Sequence, residues 1–239
     1  EGNGTPPDGN LWVSYSMNKE DIWVARIPVP VKSVATGRVE DDFNASGAKE
    51  LFNSWNVYSP LWAPVQLEKT KIGTGVLALR DHDPFDYAKA ERVIPAAKQL
   101  TVDVSVIPLQ NTQGRLDIEL QDAKGSPCLR LSFDSTGHIL TKAGYRNKNL
   151  EKYQPGEQYN IRIELNTVTR LYTVTINSGR PNRNIIFAPV EDVQRIVFRT
   201  GDVRRFPNAD TPTDQMYDLP GGGEKDPEAA FLIRSVTVE

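Results

Sequence analysis

The chain has 239 residues, of which 28 are Lys or Arg and 31 are Asp or Glu, so its formal net charge is −3. A chain of this length can form one large all-β domain or two small domains. The charge provides no excess of positive potential for a polyanion, which argues against nucleic acid as a partner. Its longest apolar runs are far shorter than the roughly 20 residues that cross a bilayer, so we expect no membrane span.

The first 37 residues differ in composition from the rest of the chain. Residues 2–9 are rich in Gly, Pro, Asn and Asp, and two apolar, strand-like runs follow at residues 11–15 and 22–27. This pattern predicts an N-terminal β-hairpin. Because two strands alone are only marginally stable in water, we expect the hairpin to pack on the main domain or on a structure outside this chain. We place the domain boundary between residues 37 and 38.

Alternation of apolar and polar residues dominates from about residue 100 onward. Apolar side chains recur at every second position in five segments: Val102, Val104 and Val106; Leu116, Ile118 and Leu120; Leu129, Leu131 and Phe133; Ile161, Ile163 and Leu165; Tyr172, Val174 and Ile176. Turn residues such as Asp122-Ala123-Lys124-Gly125 separate these segments. The pattern predicts antiparallel strands with one polar face, and so many strands predict a β-sandwich or jelly roll.

Several short motifs resemble a known type of bacterial protein. Residues 10–30 read NLWVSYSMNKEDIWVARIPVP, which resembles the closing blade of BNR-repeat, sialidase-like propeller proteins. The remaining chain resembles the concanavalin A-like sandwich that follows such propellers. The motifs that carry this likeness are Glu40-Asp41-Asp42-Phe43, Asp81-His82-Asp83-Pro84, Glu91-Arg92-Val93-Ile94-Pro95 and Phe231-Leu232-Ile233-Arg234-Ser235-Val236.

The resemblance implies an all-β fold, a concanavalin A-like jelly-roll β-sandwich at residues 38–239 after a short β-hairpin at residues 1–37. It also implies a secreted, periplasmic or cell-surface protein of a bacterium that processes glycans. In such proteins the propeller holds any catalytic site, and a propeller needs several four-stranded blades. The expected function is therefore a non-catalytic, carbohydrate-binding accessory module. Two alternatives stay open: a structural or interface module packed on a propeller domain of the same protein, and a glycoside hydrolase or lyase.

The strongest candidate for catalysis is the segment Arg115-Leu116-Asp117-Ile118-Glu119. Alternation places Arg115, Asp117 and Glu119 on one face of a strand, where they should form ion pairs. The segment resembles the catalytic strand of jelly-roll β-glucanases, whose nucleophilic Glu, Asp and acid/base Glu occupy successive positions of one face. Arg115 stands in the nucleophile's place. Because a guanidinium cannot attack an anomeric carbon, we expect no glycosidase activity.

A glycan site is predicted where a strand turns into a loop, at Asp81-His82-Asp83-Pro84-Phe85-Asp86-Tyr87. Sugar rings stack on aromatic side chains, while charged and imidazole groups bond the hydroxyls. Trp62, between two prolines, and Arg204, at the start of a long Gly- and Pro-rich segment, are added for the same reason. The predicted ligand-binding residues are Asp81, His82, Asp83, Tyr87, Trp62 and Arg204. Ordinary turn chemistry is the alternative interpretation of the Asp residues.

The sequence requires no cofactor, but the resemblance implies a metal. Similar domains hold a structural calcium ion between their first and last strands, so Asp41 and Asp42 are candidate metal ligands. Calcium takes six to eight oxygen ligands. Since only two carboxylates are close in sequence here, backbone carbonyls or distant residues would have to supply the rest.

Overall fold

The structure, a computed structural model, describes residues 10–17, 21–28, 37–45, 47–52, 54–84, 86–201 and 224–239. These residues divide into two units, a hairpin and a larger β-sandwich. The hairpin consists of β1 (Asn10–Met17) and β2 (Asp21–Pro28). The two strands pair antiparallel from Asn10 opposite Pro28 to Met17 opposite Asp21, which confirms the predicted hairpin. The domain boundary at residues 37 and 38 stays a prediction.

The second unit contains fifteen strands and one short helix among its described residues. Its first half comprises β3 (Val39–Asp42), α1 (Ala48–Phe52), β4 (Trp55–Tyr58), β5 (Val65–Lys69), β6 (Gly75–Asp81), β7 (Lys89–Ala97), β8 (Gln99–Pro108) and β9 (Leu116–Gln121). Its second half comprises β10 (Pro127–Phe133), β11 (His138–Ala143), β12 (Arg146–Lys152), β13 (Tyr159–Asn166), β14 (Leu171–Ile176), β15 (Asn182–Ile185), β16 (Val193–Thr200) and β17 (Ala229–Val238).

These strands form two antiparallel sheets. The seven-stranded sheet has the order β12-β11-β10-β9-β16-β7-β4, and the eight-stranded sheet has the order β15-β14-β13-β8-β17-β6-β5, with β3 added beside β17. Strands that are neighbours in space are often distant in the chain, as β9 and β16 are. Two facing antiparallel sheets confirm the all-β sandwich predicted from the sequence.

The core lies between the two sheets and contains the alternating apolar residues. The side chains of Leu116, Ile118 and Leu120 are fully buried in one apolar cluster with those of Val102 and Val106 from the opposite sheet. The five alternating segments therefore face inward as predicted. Aromatic residues fill one end of the core, where the rings of Tyr153, Tyr159 and Phe231 lie 5.1 to 6.4 Å from the ring of Phe133.

Strand β6 does not show the simple alternation of buried and exposed residues. In β6, the consecutive residues Val76, Leu77, Ala78 and Leu79 are all buried. Leu77 and Leu79 belong to the main core, whereas Val76 and Ala78 pack with Leu232 in a second, small apolar cluster. A strand that is covered on both faces reads as a continuous apolar run. In the described part of the chain, no helix has both the length and the apolar character of a membrane span.

Gly75 lies where β6 begins, and its N–H donates a hydrogen bond to Asn44 Oδ1 at 2.9 Å. A Cβ atom at this position would overlap the carbonyl oxygen of Phe43. We therefore expect Gly75→Ala to lower the free energy of unfolding by about 2 kcal/mol, because the backbone must shift to accept the methyl group. Urea denaturation measures this, with Thr74→Ala as the neighbouring control. Equal stabilities of the two variants would contradict the close approach of the two backbone segments.

Candidate functional site

Five of the six predicted ligand-binding residues lie within the described part of the chain, and Arg204 lies outside it. Asp81 ends β6, and His82, Asp83 and Tyr87 follow in the segment that leads to β7. The backbone N–H of His82 donates to the carbonyl oxygen of Trp62 at 2.8 Å, which brings Trp62 to the same end of the sandwich. The structure thus brings these five residues to one end of the sandwich, but their side chains divide among three environments.

The first network holds the segment between β6 and β7 in its turn. The N–H of Asp83 donates to Asp81 Oδ1, and the N–H of Asp86 donates to Asp83 Oδ1, both at 2.9 Å. These bonds are ordinary aspartate turn chemistry. Burial raises the pKa of Asp81 to about 6; hydrogen bonds from Thr200 and Asp83 oppose this rise, and the nearby carboxylates of Asp83 and Asp86 add to it. Asp81 and Asp83 therefore have a clear structural role.

The second network fixes His82 and Trp62 against the residues that precede β17. His82 Nδ1 lies 3.1 Å from the carbonyl oxygen of Asp226, and its Nε2 lies 3.1 Å from Glu228 Oε2. The Nζ atom of Lys225 lies 5.5 Å from the centre of the Trp62 ring. The imidazole and the indole are therefore already engaged within the protein. Both residues lie at one end of the sandwich, and their contact with a glycan stays a prediction.

The Tyr87 ring lies elsewhere, beside the outer face of the seven-stranded sheet. Its ring centre lies 5.5 Å from that of Tyr58 on β4, and Tyr58 Oη donates to Asp86 Oδ2 at 2.7 Å. On its other side, the Arg199 guanidinium carbon lies 5.7 Å from the Tyr87 ring centre. Both tyrosines are half-buried. Two partly exposed rings beside a guanidinium form a surface on which a sugar can stack.

A cluster of guanidiniums and carboxylates continues from Arg199 across the sheet. Asp117 Oδ2 lies 3.1 Å from Arg199 Nη2, and Asp117 Oδ1 lies 2.7 Å from Arg115 Nε. Glu119 Oε1 accepts from Arg199 Nη2 at 3.2 Å and from Arg130 Nε at 2.6 Å. The prediction that Arg115, Asp117 and Glu119 share a face and form ion pairs is confirmed. Sequence reasoning did not select Arg130 or Tyr58, although Arg130 alternates with the apolar residues of β10.

Strand register explains why the cluster faces away from the core. Within β9, Leu116, Ile118 and Leu120 point into the sandwich, so Asp117 and Glu119 point outward. Glu119 stands opposite Arg130 of β10 on one side and Val197 of β16 on the other. Asp117 is fully buried in this polar layer. Burial raises its pKa, while Arg115, a hydrogen bond from Ser132 and Arg199 oppose the rise.

Positive charge dominates the accessible part of this outer face. The carboxylates of Asp117, Glu119 and Glu91 have side chains that are only 0, 4 and 7% exposed. Their partners reach solvent further: the exposed fractions are 32% for Arg115, 25% for Arg130, 31% for Arg195 and 32% for Lys89. A ligand that approaches this face therefore meets guanidinium and ammonium groups before it meets carboxylates.

The same geometry argues against glycoside hydrolysis at β9. A retaining glycosidase needs two accessible carboxyl groups about 5–5.5 Å apart on either side of the bond that it cleaves. Glu119 Oε1 is bonded to two arginines, and Glu119 Oε2 accepts from Gln121 Nε2 at 2.7 Å. Both carboxylates of β9 are thus buried and occupied by neighbouring side chains.

The predicted calcium ligands do not fit a shared metal ion. Asp41 is buried and Asp42 is exposed, because consecutive residues of β3 point to opposite faces. Asp41 Oδ2 accepts from Arg92 Nε at 2.9 Å, and Asp42 Oδ1 accepts from the N–H of Asn44 at 2.9 Å. Throughout the described residues, there is no cluster of three or more His, Cys, Asp or Glu side chains that could hold a metal.

A shallow groove of about 610 Å³ also lies over β8, β13 and β14 on the other sheet. Tyr172 is the aromatic residue in its lining, and its ring is buried. This groove offers no ring for a sugar to stack on. We therefore consider the outer face of the seven-stranded sheet the better candidate site.

Comparison with known proteins places this geometry in context. Residues 55–215 match a family described as "Sialidase-like, CBM domain", where CBM stands for carbohydrate-binding module. A solved structure named "Sialidase" is 46% identical and superimposes with a TM-score of 0.86 over 100% of this chain. The match covers only 22% of that sialidase, so the chain corresponds to about a fifth of its length. Among curated proteins, none matches the chain.

More distant structures share the fold. The apo Crh5 transglycosylase is 14% identical, with a TM-score of 0.57 over 86% of this chain and 85% of its own. A β-glucanase of Bacillus licheniformis is 9% identical, with a TM-score of 0.55 over 85% of this chain and 98% of its own. At these identities the likeness concerns architecture only, and it supports the concanavalin A-like jelly-roll sandwich that the sequence predicted.

The raised pKa of Asp81 generates a prediction about pH. The folded state holds a proton on Asp81 up to about pH 6, whereas the unfolded chain releases it near the ordinary value of 3.8. The stability that protonation gives is therefore lost as the pH rises from about 4 to about 6. Asp81→Asn should raise the free energy of unfolding by on the order of 1 kcal/mol at neutral pH and have little effect at about pH 4.

Urea denaturation at the two pH values measures this difference. Glu164→Gln, which removes the same charge from an exposed strand position, is the control for the loss of one negative charge. A loss of stability in Asp81→Asn at neutral pH would show that the ionised carboxylate stabilises the fold.

Proposed function

Since the chain belongs to the sialidase-like family of carbohydrate-binding modules, we propose that it binds glycans on the outer face of the seven-stranded sheet. Its own function is that of a non-catalytic accessory module. The observation that supports this surface is a continuous series of contacts that begins at the ring pair Tyr58 and Tyr87. From there, the contacts run through Arg199 and Glu119 to Arg130.

The series of contacts runs across the sheet, roughly perpendicular to its strands. It begins on β4 and reaches β10, which is four strands away in the sheet order. Neighbouring strands are about 4.8 Å apart, so the series spans roughly 20 Å. An extended glycan of several sugars can lie along such a distance. Rings at one end provide stacking, and the partly exposed guanidinium of Arg130 at the other end donates hydrogen bonds to hydroxyl oxygens.

The cellular setting is part of the same proposal. A module that is 46% identical to part of a sialidase fits a protein that acts on glycans outside the cytoplasm. We propose a secreted, periplasmic or cell-surface location in a bacterium. In that setting the module holds the glycan, and a separate catalytic domain carries out the chemistry.

Replacing Tyr87 tests the surface. After a glycan array has identified a ligand, Tyr87→Leu should weaken its binding about fivefold in calorimetry, because one stacking ring contributes on the order of 1 kcal/mol. The matched control is Tyr145→Leu, which removes a fully exposed tyrosine from the turn between β11 and β12. Unchanged affinity in both Tyr87→Leu and Tyr58→Leu would place binding elsewhere.

The hairpin favours a second, compatible function, that of an interface with a propeller domain of the same protein. Ile22 is 83% exposed and Val24 is 62% exposed. Ile22 and Val24 are two residues apart on β2 and lie opposite Ser16 and Ser14 of β1. Their side chains therefore point to the same face of the hairpin. Exposed apolar residues that share a face are typical of a contact surface. The resemblance of the hairpin residues to a BNR-type blade suggests that other strands of such a propeller cover this face.

This interface predicts different results in two lengths of chain. In a protein that contains the proposed propeller domain as well, the double substitution Ile22→Asp/Val24→Asp should lower the free energy of unfolding by about 2 kcal/mol or more, because it buries two charges in an apolar contact. In the 239-residue chain alone, the change should stay within about 0.5 kcal/mol. Thermal unfolding of both proteins is the measurement, and equal effects in the two would argue against the interface.

A further inference from the structure

At the far end of the proposed glycan surface, two cationic side chains lie against one aromatic ring. Arg130 on β10 and Lys142 on β11 are neighbours across the sheet, because Leu131 pairs with Thr141 in the antiparallel register. The Arg130 guanidinium carbon lies 5.8 Å from the centre of the Phe187 ring, and Lys142 Nζ lies 5.5 Å from it. Phe187 follows β15, and its N–H donates to the carbonyl oxygen of Cys128 at 3.1 Å.

The donor groups of these two cations are only partly used. Arg130 donates through Nε to Glu119 Oε1 at 2.6 Å. Within the described ranges of the chain, no acceptor bonds its two Nη groups, and Lys142 Nζ likewise has no carboxylate partner. Arg130 is a quarter exposed. The Nε bond therefore orients the guanidinium, while the Nη donors stay available to a ligand.

Positive charge is concentrated around Arg130. Its Nε shares the Oε1 atom of Glu119 with Arg199 and lies 3.8 Å from Asp117 Oδ2. Lys142 adds a further positive charge beside Arg130, against the same Phe187 ring. Two like charges held against one ring repel each other, although each is attracted to the ring. An anion between them would relieve this repulsion and bond both groups.

We propose that Arg130, Lys142 and Phe187 form an acidic-sugar subsite, which binds the carboxylate of a uronic or other acidic sugar within a glycan. This inference rests on the proposed glycan-binding function and specifies its ligand class. The planar guanidinium fits a carboxylate with two parallel hydrogen bonds, and the ammonium adds a point charge. The Phe187 ring contacts the apolar face of the same sugar. The resulting ligand is a glycan chain with acidic sugars near one end of its bound stretch.

The first experiment compares each acidic sugar with its own neutral form. The probes are 3′-sialyllactose and tri-galacturonic acid, the methyl esters of both, and lactose, all titrated by calorimetry at low salt. We expect at least one acid to bind about tenfold more tightly than its ester, since a hydrogen bond to a charged group contributes more than one to a neutral group. High salt should reduce the affinity for the acid and leave that for the ester unchanged.

The second experiment locates the carboxylate. Lys142→Gln should weaken binding of the acid about fivefold and leave the ester unaffected. The control Lys71→Gln removes the same charge from an exposed turn beside β6 and should change neither affinity. Arg130→Lys keeps a cation beside Glu119, so the fold is preserved, but it removes the planar fork and should weaken binding of the acid by a similar factor. Phe187→Leu should weaken both the acid and the ester.

The outcomes separate the two proposals. If esters bind as tightly as acids, or if Lys142→Gln and Arg130→Lys both bind the acid as the unmodified chain does, the subsite is wrong and the glycan-binding function stands. If a sulfated sugar binds and no carboxylated sugar does, the subsite is also wrong. If neither neutral nor acidic glycans bind on an array, both proposals fail together.

Discussion

The pairing of two buried carboxylates with three arginines on one face of a sheet determines the other features of this surface. Moving an ionised carboxylate out of water costs several kcal/mol unless a charged partner compensates it. Asp117 and Glu119 are almost completely buried, and Arg115, Arg130 and Arg199 surround them. Arg199 is buried with the carboxylates, whereas Arg115 and Arg130 reach outward, so the face is cationic towards solvent. The same arrangement leaves no accessible carboxylate on β9 for hydrolysis.

The fold and the site are linked through the pleat of one strand. Leu116, Ile118 and Leu120 of β9 are fully buried in the core, so the residues between them must point to the outer face. A shift of the β9 register by one residue would place Asp117 and Glu119 in the apolar core and these three apolar side chains outside. The core therefore sets the register that assembles the arginine cluster. The cluster in turn joins β9 to β10 and β16 through side-chain bonds that the backbone ladder does not provide.

The sequence predicted features that depend on residues close together in the chain. It did not predict contacts between residues that only the strand order brings together. Alternation predicted the strands after residue 100 and the shared face of Arg115, Asp117 and Glu119, because both depend on neighbours two residues apart. Turn chemistry predicted that a strand turns into a loop near Asp81 and Asp83, where β6 ends. The contacts of Arg130, Arg199 and Tyr58 depend on the strand order, in which β16 lies between β9 and β7, and a single sequence does not reveal that order. Asp41 and Asp42 are adjacent in β3 and point to opposite faces, and the calcium site that pairs them stays a prediction.

A cationic face on a chain of net charge −3 has a further physical consequence for recognition. An anionic ligand gains no general attraction from the whole molecule, so it is drawn to this face only at close range, within about 8 Å at physiological salt. That range suits discrimination among sugars better than long-range steering, because only a carboxylate seated beside Arg130 and Lys142 receives the full interaction. The aromatic end at Tyr58 and Tyr87 contributes contacts that do not depend on ligand charge. Affinity and selectivity can therefore reside at opposite ends of one surface, and a substitution at one end need not alter the other.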